Sequence, residues 1–303
     1  MKLLITGAWK FTQEQLNTIV QLGHEVVFMQ NENDVLPCSY DEVEGIICNG
    51  LFLHHEIEKF TSLRFIQLTS AGFDRVPIDY VQNKGIKIYN AHGVYSIPMA
   101  EFAISGVLQL YKKASFFYEN KKSSSWEKNR NLLELFGKTV CIIGCGNVGT
   151  ECAKRFRAFG CQVIGVDLYP RDDENYYNMF SLSDIEKCLA YSDVVVLTVP
   201  LTDETKYLMN KERFDCMKNN SLLVNISRGG VVDEQSLLKA LDEKLLGAVL
   251  DVFKQEPLSK DNPLWQKENV ILTPHNSFVG DGNADRLKQV ILENLNKVGC
   301  IND

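Results

Sequence analysis

Residues 140–143 form a short apolar, β-branched run that leads straight into Gly144-Cys145-Gly146-Asn147-Val148-Gly149. Such a run reads as a parallel strand buried on both faces. Val148, Cys152, Phe156 and Phe159 then fall on one helical face, and Gly160 ends the helix. A second strand over 162–166 ends on Asp167. Each part has a mechanical reason. Gly144 permits the tight turn, Gly146 lets backbone approach a pyrophosphate, and Gly149 lets helix pack close to strand. The helix start offers free N–H groups and partial positive charge to the phosphates, through residues such as Asn147 and Val148. Asp167 follows the glycines by about 20 residues, where an acid accepts the ribose hydroxyls. The stretch predicts a dinucleotide site. A glycine turn without a ligand would leave the terminal acid of the second strand unexplained.

The same alternation extends both ways. Strands are expected at 2–6, 25–29, 45–48, 65–68 and 86–89, a helix capped by Thr12 at 12–22, and short helices at 55–61 and 79–83. Past Asp167, strands at 193–198, 221–226, 247–252 and 270–272 alternate with helices at 183–188, 211–216 and 233–242. An amphipathic helix at 284–297 closes the chain. This is an α/β pattern of parallel sheets covered on both faces, with ligands beyond the carboxyl ends of the strands. A length of 303 residues allows two domains with their own cores. Between them, Pro98 starts a strongly apolar helix over 99–118, too apolar for one buried face. The polar stretch 121–131 follows, with Trp126 expected to dock.

A net charge of −7 argues against non-specific binding to nucleic acid or an anionic membrane. The basic residues between Lys112 and Arg130 read as a solvated helix end and linker. Nine cysteines without a CxxC pair suggest neither a disulfide framework nor a zinc site, so no metal is expected. Cys145 and Cys152 flank the glycine loop and are candidates for oxidation. The N-terminal apolar run is too short for a signal peptide, and Ile-Asn-Asp after Cys300 is a poor prenylation tail. The expected compartment is a reducing cytoplasm.

Three segments follow strands of the second half and should face the cofactor edge: 225–230, 251–257 and 273–275. They offer Arg228, Glu256 and His275. Arginine matches a carboxylate with a bidentate fork, and histidine exchanges a proton near neutral pH. A glutamate beside it orients the ring and favours its protonated form. Those are the requirements for moving a hydride to or from a carbon that bears oxygen next to a carboxylate. Each residue alone also fits a plain surface or loop position.

The segments SAGFD (70–74), NAHGVYSIPMAEFA (90–103), GCGNVG (144–149), VPLTDET (199–205), NISRGGVVDEQSLLKAL (225–241), DVFKQEPL (251–258) and TPH (273–275) together resemble the D-isomer-specific 2-hydroxyacid dehydrogenase family over essentially the whole chain. The resemblance implies a Rossmann dinucleotide-binding domain, 97–281, inserted in a flavodoxin-like substrate domain made of 1–96 and 282–303. It implies NAD(H) as cofactor, a 2-oxo or D-2-hydroxy acid as substrate, and a homodimer. Arg228, Glu256 and His275 take the family's catalytic positions, and backbone N–H groups at Ala71 and Gly72 hold the substrate carboxylate. Ser96, Pro200, Thr205, Ile226 and Asp251 fall where the family touches its dinucleotide. Two departures stand out. Thr198 replaces a histidine found in many members, and Asn276-Ser277-Phe278-Val279-Gly280 replaces the usual small apolar residue, glycine and threonine. The competing reading is a dinucleotide-sensing scaffold of the same fold that does not turn over. A third, oxidation of formate or phosphite, fits poorly because the formate-oxidising relatives lack this glutamate.

Overall fold

Along the strands of both halves, successive residues belong to different apolar layers, and that alternation sets the architecture. The computed structural model describes residues 1–299, so the tail reading at Cys300 lies outside the described residues. The chain divides into two units, Met1–Tyr95 with the segment from Gly280, and Ser96–Val279. Among the described residues no helix is long and apolar enough to cross a membrane.

The first unit begins with β1 (Lys2–Thr6), α1 (Gln13–Gln21), β2 (Glu25–Met29), β3 (Gly45–Cys48), β4 (Phe65–Leu68), α2 (Ile78–Asn83) and β5 (Lys87–Tyr89). Its strands are parallel, in the order β2-β1-β3-β4-β5. Leu3, Ile5, Ile47 and Phe65 point into one buried layer. Leu4, Ile46, Cys48, Ile66 and Leu68 point into the other, the period of two that a doubly covered sheet demands. Thr12 and Gln15 form a capping box that starts α1. The helix expected at 55–61 is instead a short 3-10 turn at Ile57–Lys59, after another at Leu51–Leu53. Ile57 and Phe60 are its buried residues, a spacing of three that suits the tighter turn.

The second unit holds α3 (Ser96–Tyr111), α4 (Ala114–Lys122), β6 (Thr139–Ile143), α5 (Asn147–Ala158), β7 (Gln162–Asp167), β8 (Asn178–Ser181), α6 (Ile185–Tyr191), β9 (Val194–Leu197), α7 (Lys211–Cys216), β10 (Leu222–Asn225), α8 (Glu234–Glu243), β11 (Gly247–Leu250) and β12 (Val270–Leu272). All seven strands are parallel, in the order β12-β11-β10-β9-β6-β7-β8. Val140, Ile142, Val194, Val196 and Val224 form a layer with α3 and α5. Cys141, Ile143, Val195, Leu197 and Leu223 form the opposite layer with α6, α7 and α8. The order reverses between β6 and β9, which opens a crevice beyond their carboxyl ends. The closing helix, α9 (Asn283–Gly299), packs in the first unit. Leu287, Ile291 and Leu295, four apart, join the layer of Leu3 and Phe65, and Asn294 donates to Gln67 at 2.9 Å.

Three expectations are corrected. The apolar helix over 99–118 is two helices, because Lys113 adopts a left-handed conformation with φ of 53°. The apolar surplus of α3 is used inside its own unit: a Cβ at Gly106 would come within 2.6 Å of Val249, so the helix lies flat on β11. Trp126 does not dock and stands 95% exposed. The strand β8 was not anticipated. It is a short edge strand whose residues are only partly buried, so it lacks the apolar run that marks the others.

Candidate active site

The glycine loop sits between β6 and α5, and each glycine is used differently. Gly144 has φ of 95°, and a Cβ there would lie 2.8 Å from the Val199 nitrogen. A Cβ at Gly149 would lie 2.1 Å from the Gly144 carbonyl oxygen. At Gly146 a Cβ would meet nothing within 4 Å, so this face of the loop is open to a ligand. Gly146 is also the N-cap of α5 and supplies no capping side chain. The N–H groups at Asn147 and Val148 therefore start the helix without a side-chain acceptor from the cap, the condition for holding an anion. Thr198, at the end of β9, donates to the Gly144 carbonyl at 2.5 Å, so the residue that departs from the family pattern fastens the loop across the strand reversal.

Asp167 ends β7 as expected. Its carboxylate accepts from the Cys145 N–H at 2.7 Å and the Tyr169 N–H at 3.0 Å. Arg171 turns toward the same loop and donates to the Cys145 carbonyl at 2.8 Å. Burial pushes the Cys145 and Cys152 thiols up to about 12, so both remain protonated and the oxidation reading gains no support.

The other end of the site is built at the carboxyl ends of β10, β11 and β12. After β10, the Asn225 side chain accepts from the Ser227 N–H and hydroxyl and donates to the Arg228 carbonyl, which fixes the turn that carries Arg228. The Arg228 guanidinium donates to the Ser227 carbonyl at 2.8 Å. Gly229 is obligatory here, since its Cβ would fall 1.9 Å from the Phe253 carbonyl carbon. After β11, Asp251 is fully buried. Its two oxygens accept from the Thr273 hydroxyl at 2.6 Å, the Asn276 N–H at 2.7 Å and the Ser277 N–H at 2.9 Å. The His275 N–H donates to the Asp251 carbonyl at 2.8 Å, and His275 itself has φ of 50°. A histidine held in this left-handed region is uncommon and is retained here by the bonds around it.

These frames bring the side chains together. His275 Nδ1 lies 2.8 Å from Glu256 Oε2, and Glu256 Oε1 accepts from the Phe253 N–H at 2.9 Å. An ionised carboxylate only accepts, so Nδ1 carries the hydrogen and Nε2 is left to exchange a proton. Arg228, Glu256 and His275 line one cavity of about 350 Å³ with Leu201, Lys206, Tyr207 and Lys254. A larger cavity of about 640 Å³ opens near Gly137 and Gly160, at the amino ends of β6 and β7, and contains none of the three. Lys206, Tyr207 and Lys254 were not anticipated. Their only signal is position, directly after the 199–205 segment and within 251–258.

The remaining expected residues are placed as follows. The Thr205 hydroxyl donates to the Pro200 carbonyl at 2.6 Å and braces that loop, while Pro200 is exposed. The Ile226 side chain is in the core, which leaves only its backbone for a ligand. Ser96 is buried at the start of α3. In the first unit, Asn90 donates to the Ala71 carbonyl at 2.6 Å and the Ser70 hydroxyl donates to the Gly72 carbonyl at 3.1 Å. This shapes the turn after β4. Among the described residues the Ala71 and Gly72 N–H groups have no protein acceptor.

A family model described as D-isomer specific 2-hydroxyacid dehydrogenase, NAD binding domain, matches residues 104–277. The chain belongs to this family. The D-3-phosphoglycerate dehydrogenase of Methanocaldococcus jannaschii is 35% identical over 303 residues, a match covering 98% of this chain and 57% of that protein. The chain thus spans little more than half of that relative's length. The glyoxylate reductase of Korarchaeum cryptofilum is 34% identical over 244 residues, covering 78% of this chain and 74% of the relative. The crystal structure of the D-lactate dehydrogenase of Aquifex aeolicus, complexed with NAD and lactic acid, superposes with a TM-score of 0.77 at 27% identity, covering 98% of this chain and 95% of that one.

The matched family model is that of an NAD-binding domain and the cofactor is NAD(H); the open Gly146, the uncapped start of α5 and Asp167 fit it. A 2′-phosphate at Asp167 would meet a fixed negative charge, with Arg171 beside it as a partial offset. The expected kcat/KM with NADH exceeds that with NADPH by at least about tenfold, because juxtaposed like charges cost more than about 1.4 kcal/mol. Asp167→Ala should narrow the ratio. Equal efficiency of the two cofactors with the unaltered protein would refute this account of Asp167.

Proposed function

We propose that the protein transfers a hydride between NAD(H) and a 2-oxo acid/D-2-hydroxy acid pair. The observation that carries this is the single cavity shared by Arg228, Glu256 and His275. Bound NADH supplies the hydride. Arg228 pairs with the substrate carboxylate through its planar fork and polarises the neighbouring carbonyl. His275, protonated on Nε2, gives its proton to the carbonyl oxygen as charge develops there, and takes it back in the oxidising direction. Glu256 fixes the ring through Nδ1 and compensates its positive charge. The N–H groups of Ala71 and Gly72 receive the substrate carboxylate, and Ser96, Pro200, Thr205, Ile226 and Asp251 line the dinucleotide path.

The test is consumption of NADH by the purified protein with 2-oxo acids graded by size and charge, including glyoxylate, pyruvate and hydroxypyruvate. Turnover is expected with at least one. A protein that binds NADH and reduces none of them would favour the scaffold reading. Arg228→Lys should lower kcat and raise KM for the 2-oxo acid together, since lysine keeps the charge and loses the fork.

The reading includes a homodimer in a reducing cytoplasm. Phe117, Tyr118, Trp126 and Phe136 are exposed on α4 and the segment that follows it, at 40%, 58%, 95% and 75%. That so many large apolar side chains along one stretch of chain face water favours an association surface there. Light scattering at micromolar concentration should give twice the mass of one chain, and a monomer-sized particle would count against the dimer.

A further inference from the structure

Glu32 occupies the place of an anion at the carboxyl edge of the first sheet. Its Oε1 accepts from the Thr6 hydroxyl at 2.7 Å and from the Asn49 N–H at 2.6 Å, and its Oε2 accepts from the Gly50 N–H at 2.7 Å. Thr6 ends β1 and is fully buried, while Asn49 and Gly50 directly follow β3. The strand order of this sheet reverses between β1 and β3. Ligands of open parallel sheets bind beyond the strand ends at such a point. Consecutive N–H groups with a hydroxyl make a concave donor set suited to phosphate or carboxylate. Here the chain supplies the carboxylate itself.

The neighbouring turn gives this arrangement its consequence. β3 pairs with β4, and the Thr69 N–H donates to the Cys48 carbonyl at 2.9 Å. The Asn49–Gly50 turn and the Ala71–Gly72 turn therefore stand side by side on one edge of one sheet. If Ala71 and Gly72 receive the carboxylate of a 2-oxo acid, the adjoining turn is next in line for the substrate's other end. We infer that Glu32 is a specificity-determining residue that turns away 2-oxo acids carrying a second anionic group and admits those with neutral side chains. The inference rests on the proposed reduction of 2-oxo acids.

Two effects act together. A phosphate arriving at this turn finds the Asn49 and Gly50 N–H groups already engaged, and it meets a like charge where they point. Arg75 passes the same turn: a Cβ at Gly50 would lie 3.5 Å from Arg75 Cδ and 3.5 Å from Glu32 Oε2. Removing the Glu32 carboxylate would free two amides and the Thr6 hydroxyl beside an arginine, which is a receptor for an anion.

The experiment compares hydroxypyruvate with its 3-phosphate ester as substrates of the unaltered protein, Glu32→Gln and Glu32→Ala. The glutamine variant keeps the shape of the side chain and so guards against a folding defect in the alanine variant. The unaltered protein should prefer hydroxypyruvate in kcat/KM by at least about tenfold, and the preference should shrink by a similar factor in both variants through KM rather than kcat. Equal use of both substrates by the unaltered protein, or a preference that neither variant alters, would overturn the inference. A separate arm needs no turnover. Inorganic phosphate should raise the melting temperature of Glu32→Ala by more than it raises that of the unaltered protein, since both share the remaining anion-binding groups. Absence of NADH consumption with every 2-oxo acid would defeat the proposed function alone, whereas absence of this phosphate effect would defeat the role of Glu32.

Discussion

His275→Ala is expected to slow reduction of the best 2-oxo acid by about two to four orders of magnitude, the usual worth of a positioned acid–base group. NADH binding should persist, because among the described residues the glycine loop and Asp167 bond to partners outside the 273–277 segment. The two measurements belong together: fluorescence titration of NADH, then single-turnover reduction with the bound cofactor. The loss should appear in kcat far more than in KM, since a missing proton donor is felt as charge forms on the carbonyl oxygen. A variant that folds, binds NADH and still reduces substrate at close to the original rate would remove His275 from the mechanism.

Gly229→Ala should be nearly as damaging without touching a proton carrier. Its new Cβ would lie 1.9 Å from the Phe253 carbonyl carbon, 2.2 Å from the Phe253 oxygen and 2.3 Å from the Lys254 nitrogen. These are backbone atoms on a neighbouring loop, and none can swing aside as a side-chain end would. Overpacking of this kind costs about 1–3 kcal/mol, and each kcal/mol lowers Tm by about 2–4 °C for a unit of this size. The displaced segment holds Arg228 on one side and Phe253, the anchor of Glu256, on the other. A misplacement of about 1 Å at a reacting constellation costs about a hundredfold, and a fall of that order in kcat/KM is expected. Gly146→Ala is the contrasting control. A Cβ there meets nothing within 4 Å, so Tm should hold while the affinity for NADH falls. An unchanged Tm and rate in Gly229→Ala would mean that the loop can yield where the structure shows backbone against backbone.

How much could be read from the sequence follows from how local each signal is. The parallel strands were legible because apolar runs such as 140–143 and 194–197 are buried on both faces, and the glycine loop because its geometry needs glycine at Gly144 and Gly149. Arg228, Glu256 and His275 were each legible as a group beyond a strand end. Their convergence was not, since the strands that carry them lie far apart in sequence; the family resemblance supplied it. The break between α3 and α4 left no mark, because a lysine in the left-handed region looks like any helical lysine. The strand β8 was hidden by its polarity. Glu32 was hidden for another reason. It is an ordinary loop acid until the sheet brings Thr6, Asn49 and Gly50 to it from other strands.

The mounting of His275 also has a practical reading for anyone who wishes to change what the protein accepts. The backbone that carries the imidazole is bracketed by bonds to one buried residue, Asp251, through its carboxylate and its carbonyl, while Glu256 holds the ring itself. A library that varied residues 251 and 273, whose side chains build the bracket, would mostly sample ways of loosening it. The exposed side chain of Val279, two positions beyond it, can be exchanged for a larger, smaller or charged one while the bracket keeps its shape, whereas Phe278 stands edge-on to the His275 ring. In this protein the freedom to redesign begins where the bonds to Asp251 stop.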